Sequence, residues 1–442
     1  MSLFIKDALL DGKTTSILIE QDTIVGIGND LPMPIDVNVI DASHFAVLPT
    51  FANMHTHAAM TLFRGYGDDH PLQEWLNEWI WPAERNLDDE IVYWGTRLAC
   101  LEMIKSGTTL FNDMYFFPDA AARAVVDSGI RAMIGFTGFD FGNKEAAEKL
   151  KKDITEWFDN SKFKVQTCFS IDEHRLNKSN QANNSKLLTP VVAPHAPYTV
   201  SDSTLKWLSD FAAERNLLYH IHMSETQKEV EDSLQSHGTR PYRHLADLGI
   251  LEQCGERFIG AHSLHLDNEE IKLLGQHHAT VVHNPNSNLK LGSGYRFMYN
   301  ELRDAGVNVT LGTDGCSSSN NLDMLEATKT MALLQKGWRG DPTAMPAKEV
   351  LQVSSRNGFK AAGLNAGKIE VGAKADLLLV DLDNIGFIPN NDTLSNYIYA
   401  AHSDAIDTVI CNGQPVMQNR EVKNEATIKD EAKRVVKKLI KK

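Results

Sequence analysis

Apolar runs of strand length recur along the chain, and between positions 46 and 312 they alternate with stretches of helical period. Eight of them read as buried parallel strands: Ala46–Asn53, Thr108–Asp113, Ile130–Phe136, Leu188–Ala193, Leu217–His222, Phe258–Ala261, Thr280–His283 and Val307–Gly312. Helical segments such as Asp89–Ile104, Ser203–Arg215 and Leu322–Gln335 separate them, as crossover connections require. Eight such units predict an α/β chain closed into a (β/α)8 TIM-type barrel; no GxGxxG follows an early strand to favour a dinucleotide sheet. Nearly every candidate strand has a cluster of His, Asp or Asn at or just after its C-terminal end, where such a barrel assembles its site.

The two ends of the chain carry a different pattern. Ser16–Glu20 and Thr23–Gly28 flank a Gln21-Asp22 turn, and Val37–Ile40 continues the short strands. Leu377–Val380 and Asp407–Ile410, the latter before an Asn412-Gly413 turn, repeat the pattern far downstream. Both ends are expected to pair into a small β-sandwich domain, giving residues 1–48 and 362–442 to that domain and 49–361 to the barrel. Ala426–Lys442 reads as an amphipathic helix docked on the surface through Val435, Val436, Leu439 and Ile440. The region 140–187 is ambiguous.

Composition narrows the function. Of 442 residues, 42% are hydrophobic and 23% charged, the balance of a globular enzyme. Lys+Arg 44 against Asp+Glu 58 gives −14, a charge that disfavours nucleic acid and anionic membrane as partners. Cys100, Cys168, Cys254, Cys316 and Cys411 are scattered and form no CxxC pair, which points to reduced thiols and a cytoplasmic setting. The first ten residues, MSLFIKDALL, do not read as a secretory signal.

The candidate chemistry lies at the strand ends. In an extended segment residues i and i+2 share a face, so His55 and His57 of Asn53-Met54-His55-Thr56-His57 offer two imidazoles to one point, although such pairs also arise by chance. In His220-Ile221-His222-Met223-Ser224-Glu225, His222 is nearer the mouth and is the candidate ligand, while His220 is a candidate core residue. Glu225 can carry protons above the metal, or be an ordinary surface glutamate. His262, after Gly260-Ala261, is placed to hydrogen-bond an oxygen on the metal, whereas His265 reads as peripheral. The loop Asn284–Asn288 either lines a cleft or forms a capped turn. Asp314, in Gly312-Thr313-Asp314-Gly315, supplies the anionic ligand, or is a turn residue alone. Together, three histidines and an aspartate leave one position open on a zinc-type ion, which lowers the pKa of its water from about 15.7 to about 7. Metal-assisted hydrolysis at an sp² carbon is the reaction class, and zinc, iron and manganese all suit the ligands.

The stretch from Pro49 to Leu87, with Phe111-Asn112-Asp113-Met114-Tyr115, Ala193-Pro194-His195-Ala196-Pro197-Tyr198, His220–Thr226, Gly260-Ala261-His262 and Gly312–Gly315, resembles the amidohydrolase superfamily. More narrowly it is similar to the 5′-methylthioadenosine/S-adenosylhomocysteine deaminases. The resemblance implies one divalent metal, Zn2+ before Fe2+ or Mn2+, on His55, His57, His222 and Asp314. It makes Glu225 the proton shuttle, Asp314 the base for the attacking water and His262 the residue that holds it. It makes Glu84 and His195 substrate contacts, a role their local sequence does not reveal. The implied reaction is attack of the metal-activated water on purine C6 of a 5′-modified adenosine: 5′-methylthioadenosine, S-adenosylhomocysteine, adenosine or 5′-deoxyadenosine. The implied partners are a small nucleoside and, as a family trait, further copies of the chain.

Two departures matter. His195 stands where two-metal members carry a lysine, so one metal is expected. Members that hold homocysteine use arginines near the third strand, but Thr137–Lys144 contains none, leaving the 5′ substituent open. Guanine deamination or s-triazine hydrolysis on the same ligand set is the alternative. An inactive scaffold is a third reading, opposed by the full ligand set.

Overall fold

A computed structural model describes residues 2–160 and 187–440. The ambiguous region therefore divides: Lys144–Asn160 is a helix, and 161–186 lie outside the described residues.

Five strands open the chain: β1 (Ser2–Leu10), β2 (Lys13–Glu20), β3 (Thr23–Gly28), β4 (Asn38–Asp41) and β5 (Phe45–Pro49). The barrel follows as β6 (Phe51–Thr56), β7 (Thr108–Tyr115), β8 (Arg131–Gly138), β9 (Leu188–Pro194), β10 (Leu218–Met223), β11 (Phe258–His262), β12 (Thr280–His283) and β13 (Asn308–Leu311). β14 (Leu377–Asp381), β15 (Ile406–Cys411) and β16 (Gln414–Met417) complete the set.

β6 to β13 run side by side in chain order, every hydrogen-bonded pair parallel. All residues of β6, β7 and β10 are buried, because helices cover the outside and side chains fill the interior. Side chains stitch the seam between β13 and β6. Asn53 donates to Thr313 Oγ1 at 2.7 Å and accepts the Thr313 N–H at 3.0 Å, while the Asp314 N–H donates to the His55 carbonyl at 3.0 Å. Gly312 permits this approach: a Cβ there would lie 2.8 Å from the His55 carbonyl oxygen.

The other strands form one sheet in the order β16-β15-β14-β5-β1-β2-β3, with β4 beside β1. Both ends of the chain thus meet in a small β unit, as predicted. Its own core gathers Leu3, Ile5, Ile17, Ile19, Ile24, Val47, Leu377 and Leu379. Arg131, at the start of β8, reaches it through a buried ion pair with Asp376 at 3.1 Å. That contact is at the N-terminal end of a barrel strand, opposite the mouth.

The apolar run Ala46–Asn53, expected as one barrel strand, serves both sheets. Phe45–Pro49 pairs with β14, and after Thr50 the chain enters the barrel with the Phe51 N–H on the Gly107 carbonyl. Hydrophobic period does not register a change of sheet when both sides are buried. The last helix, Glu425–Leu439, buries Ile428, Ala432, Val435 and Leu439 and packs against the helix Asp89–Lys105. Among the described residues no helix is long and apolar enough to cross a membrane.

Candidate active site

The C-terminal ends of β6, β10, β11 and β13 converge, and three of them bend in the same manner. Ser224, His262 and Asp314 all have positive φ (49°, 66° and 63°), a conformation unfavourable for side chains other than glycine. The left-handed turn ends each strand and redirects the chain at the mouth.

Asp314 is the hub. Its Oδ1 is 3.3 Å from His55 Nε2 and 3.2 Å from His57 Nε2, and it also accepts the Gly315 N–H at 2.8 Å. Its Oδ2 accepts the hydroxyls of Ser287 (2.6 Å) and Ser318 (2.9 Å). Burial alone would raise this carboxyl, but the bonds and charges of His55 and His57 hold it well below the usual carboxylate range. The histidine rings crowd together, with His222 at 4.7 Å from His55 and 5.3 Å from His57, centroid to centroid.

Backbone carbonyls orient two of these rings. His57 Nδ1 donates to the Met114 carbonyl at 2.6 Å, and His222 Nδ1 to the His195 carbonyl at 2.7 Å. Each thereby turns its Nε2 to the centre. His220 is buried deeper, 3.1 Å from His55 Nδ1 and 3.1 Å from the Asn112 amide, the core position expected of it.

His262 is held the opposite way round. The amide nitrogens of Asn288 and Asn284 lie 3.0 and 3.3 Å from its Nδ1 and donate to it, so the ring proton sits on Nε2. Burial keeps this imidazole neutral, down to about 4, and its Nε2–H is 3.7 Å from Glu225 Oε2. Glu225 is raised to about 8, chiefly by burial and then by the charge of Asp314, against a weaker pull from Ser293. At neutral pH it is a protonated acid beside the neutral imidazoles of His55, His222 and His262.

Glu84 sits at the end of the helix Trp81–Glu84, which follows a π-helical stretch over Trp75–Ile80. Tyr115 donates to it at 2.8 Å, and burial raises it to about 7 despite that bond. His195 Nδ1 donates to Thr199 Oγ1 at 2.9 Å, since that hydroxyl gives its own proton to the Ala196 carbonyl; Nε2 keeps a lone pair. An aromatic wall adjoins His195. Phe139 packs edge-on to it at 5.9 Å and contacts Phe141, Trp81 and Phe116. A cavity of about 1100 Å³ opens beside the cluster, lined by Leu72, Phe141, Tyr198, Glu229 and Ser293 among others.

All eight candidate residues therefore lie at one end of the barrel. His55, His57, His222, His262, Glu225 and Asp314 form the cluster, with Glu84 and His195 beside it. His265 turns away and bonds the Ser293 carbonyl, as a peripheral residue would. Four supporting positions were given no role from the sequence. Ser287 and Ser318 hold Asp314; Asp113 accepts the Ala58 N–H at 2.8 Å behind His57; and Glu229 grips the backbone of Glu225. Asn284, Ser287 and Asn288 gave a signal only as a polar loop after a strand, and Asp113 only within the motif Phe111–Tyr115.

The donor set fits a divalent ion. Ligand atoms of His55, His57 and Asp314 lie within 4.8 Å of one another, as do those of His55, His222 and His262. Among the described residues His55 Nε2 is buried with Asp314 Oδ1 at 3.3 Å but in no well-aligned hydrogen bond, an atom a metal would satisfy. An ionised carboxylate among imidazoles also favours a cation: His57, pushed down by burial, is carried up to about 9 by Asp314.

Comparison with known proteins agrees with this picture. The model of the amidohydrolase family matches residues 46–416. A 5′-deoxyadenosine deaminase from Methanospirillum hungatei is 43% identical over 88% of this chain and 82% of its own length. A 5-methylthioadenosine/S-adenosylhomocysteine deaminase from Archaeoglobus fulgidus is 43% identical, covering 91% and 90% respectively. The zinc-bound crystal structure of an adenosine deaminase from Xanthomonas campestris superposes with a TM-score of 0.88 at 32% identity, over 99% of this chain and 98% of that one.

Proposed function

The chain belongs to the amidohydrolase family and is a hydrolase, and from that premise we propose that it deaminates a 5′-modified adenosine, releasing ammonia and the inosine analogue. The observation that carries this reading is the pairing of an ionised Asp314 with a protonated Glu225 around one cluster of imidazoles. Aromatic deamination needs both: a base for the attacking water and an acid for the ring nitrogen.

We assign one divalent ion, zinc before iron or manganese, to His55, His57, His222 and Asp314. When bound, such an ion acidifies water at neutral pH and makes it the nucleophile for C6. Asp314, its Oδ2 held by two serine hydroxyls, accepts the proton of that water. The Nε2–H of His262 donates to the attacking oxygen and aims it. Glu225 protonates N1 of the purine, takes the proton left on the oxygen now at C6, passes it to the departing amine, and is restored by the proton that Asp314 took from the water. Glu84 accepts hydrogen bonds from the ribose hydroxyls, and His195 presents a lone pair to a substrate donor. Trp81, Phe116, Phe139 and Phe141 offer the 5′ position an apolar surface, which suits 5′-deoxyadenosine or 5′-methylthioadenosine better than an amino-acid tail. Four buried free cysteines, Cys100, Cys254, Cys316 and Cys411, support a cytoplasmic setting.

The test is ammonia release and the absorbance shift from adenosine to inosine, measured with zinc-loaded protein. 5′-Deoxyadenosine, 5′-methylthioadenosine, S-adenosylhomocysteine, guanine and a chloro-s-triazine make up the panel. Turnover of the adenosines supports the reading. Turnover of guanine or the triazine alone overturns it.

A further inference from the structure

Outside the barrel mouth, a second group of ligand-type side chains converges on the wall of the cavity. Asp202 opens the helix Asp202–Glu214, His237 ends the helix Gln227–His237, and His244 lies in the helix Pro241–Asp247. One ligand atom from each lies within 4.8 Å of the others, and all three residues line the 1100 Å³ cavity. His244 is buried and its Nε2 is 2.8 Å from Asp202 Oδ1. The His237 and His244 rings stack at 3.8 Å, and His237 is exposed, with no protein hydrogen bond among the described residues.

We propose that Asp202, His237 and His244 form a second metal site, for a borderline divalent ion of the zinc type. Two nitrogens and one carboxylate oxygen suit Zn2+, Co2+ or Ni2+ and do not suit Mg2+ or Ca2+. Bonds of about 2.0–2.2 Å let one ion span ligand atoms roughly 4 Å apart, and rotation of the exposed His237 and half-exposed Asp202 closes the remainder. Nearby charge does not oppose the ion, since Lys228 is paired with Asp232 at 2.8 Å.

The site joins three helices, two of them consecutive in the chain and linked by residues 238–240. One of them, Gln227–His237, carries Glu229 in its first turn, and Glu229 holds the backbone of Glu225. A metal at the far end of that helix clamps it against its neighbours.

The experiment is equilibrium dialysis of the full-length protein, its central site already filled, against micromolar Zn2+, with metal counted by elemental analysis. The parent is expected to bind a second equivalent and to melt higher in its presence. His237→Ala and Asp202→Asn, the latter able to keep the bond to His244, are expected to retain the first equivalent and lose both the second and the melting shift. Mg2+ is expected to give neither. A parent that saturates at one equivalent, a His237→Ala variant that still binds two, or Mg2+ binding as tightly as Zn2+ overturns the proposal.

Discussion

The carboxylate of Glu229 accepts the backbone N–H of Glu225 at 2.8 Å and that of Ser224 at 2.7 Å. The residue proposed to carry protons is therefore held in place by the helix that follows it. Glu229→Gln, which loses one of two acceptors, is expected to lower kcat by about 10–100-fold with KM little changed and metal content intact. Glu225→Gln, which removes the acid itself, is expected to cost about 10²–10⁴-fold in kcat. Steady-state kinetics with parallel metal analysis separates the two, and equal losses would place Glu229 in the chemistry and not behind it.

Glu84 gives the enzyme a pH dependence. Burial raises its pKa to about 7, so the carboxyl is neutral below that value and anionic above it. Only the anion is a pure acceptor for two ribose hydroxyls. The expected result is a kcat/KM that rises with pH through about 7, and a Glu84→Gln variant without that limb. For stability the sign reverses: a carboxyl raised in the folded state favours folding at low pH and loses that contribution as pH climbs from the unfolded value toward 7. Urea unfolding at pH 5 and pH 8 should show a smaller difference for Glu84→Gln than for the parent.

Much of this site was legible in the sequence, for a physical reason. Side chains able to ligate a metal are few in type and here sit where apolar runs end, so the proposed ligands His55, His57, His222 and Asp314 announce themselves by residue and by position. What escaped acts through geometry that period cannot carry. Thr50 divides one apolar run between two sheets. Glu229, four residues after Glu225, reads as the solvent face of a helix although its carboxylate is turned inward to two backbone N–H groups. Ser287 and Ser318 come from separate helices and meet each other, at 3.0 Å, on the carboxylate of Asp314. Glu84 and His195 have no local signature at all and entered through resemblance.

The aromatic wall should govern the 5′ substituent. Phe141 is more than half exposed and faces Trp81 at 5.8 Å. Phe141→Ala is expected to raise KM for 5′-methylthioadenosine by about tenfold, the worth of a small apolar contact, while adenosine is little affected. Competition between 5′-methylthioadenosine and S-adenosylhomocysteine in one reaction gives the complementary test, with the thioether lacking the amino acid expected to be consumed first.

Arg131 and Asp376 join the barrel to the small sheet with side chains 3% and 0% exposed. Removing one partner leaves the other charge buried, so Asp376→Ala is expected to cost about 3–5 kcal/mol in denaturant unfolding. The double variant Arg131→Met, Asp376→Leu should recover most of that loss, because paired burial and apolar packing are close in free energy.

The proposed chemistry depends on one ion held by His55, His57, His222 and Asp314, and the most direct test is to strip the protein of metal and titrate zinc back while formation of 5′-deoxyinosine from 5′-deoxyadenosine is followed. Activity should be absent at the start, rise linearly and saturate at one equivalent in the parent, and stay absent in Asp314→Asn at every zinc concentration. Full activity in stripped protein, or parental turnover by Asp314→Asn, would contradict it.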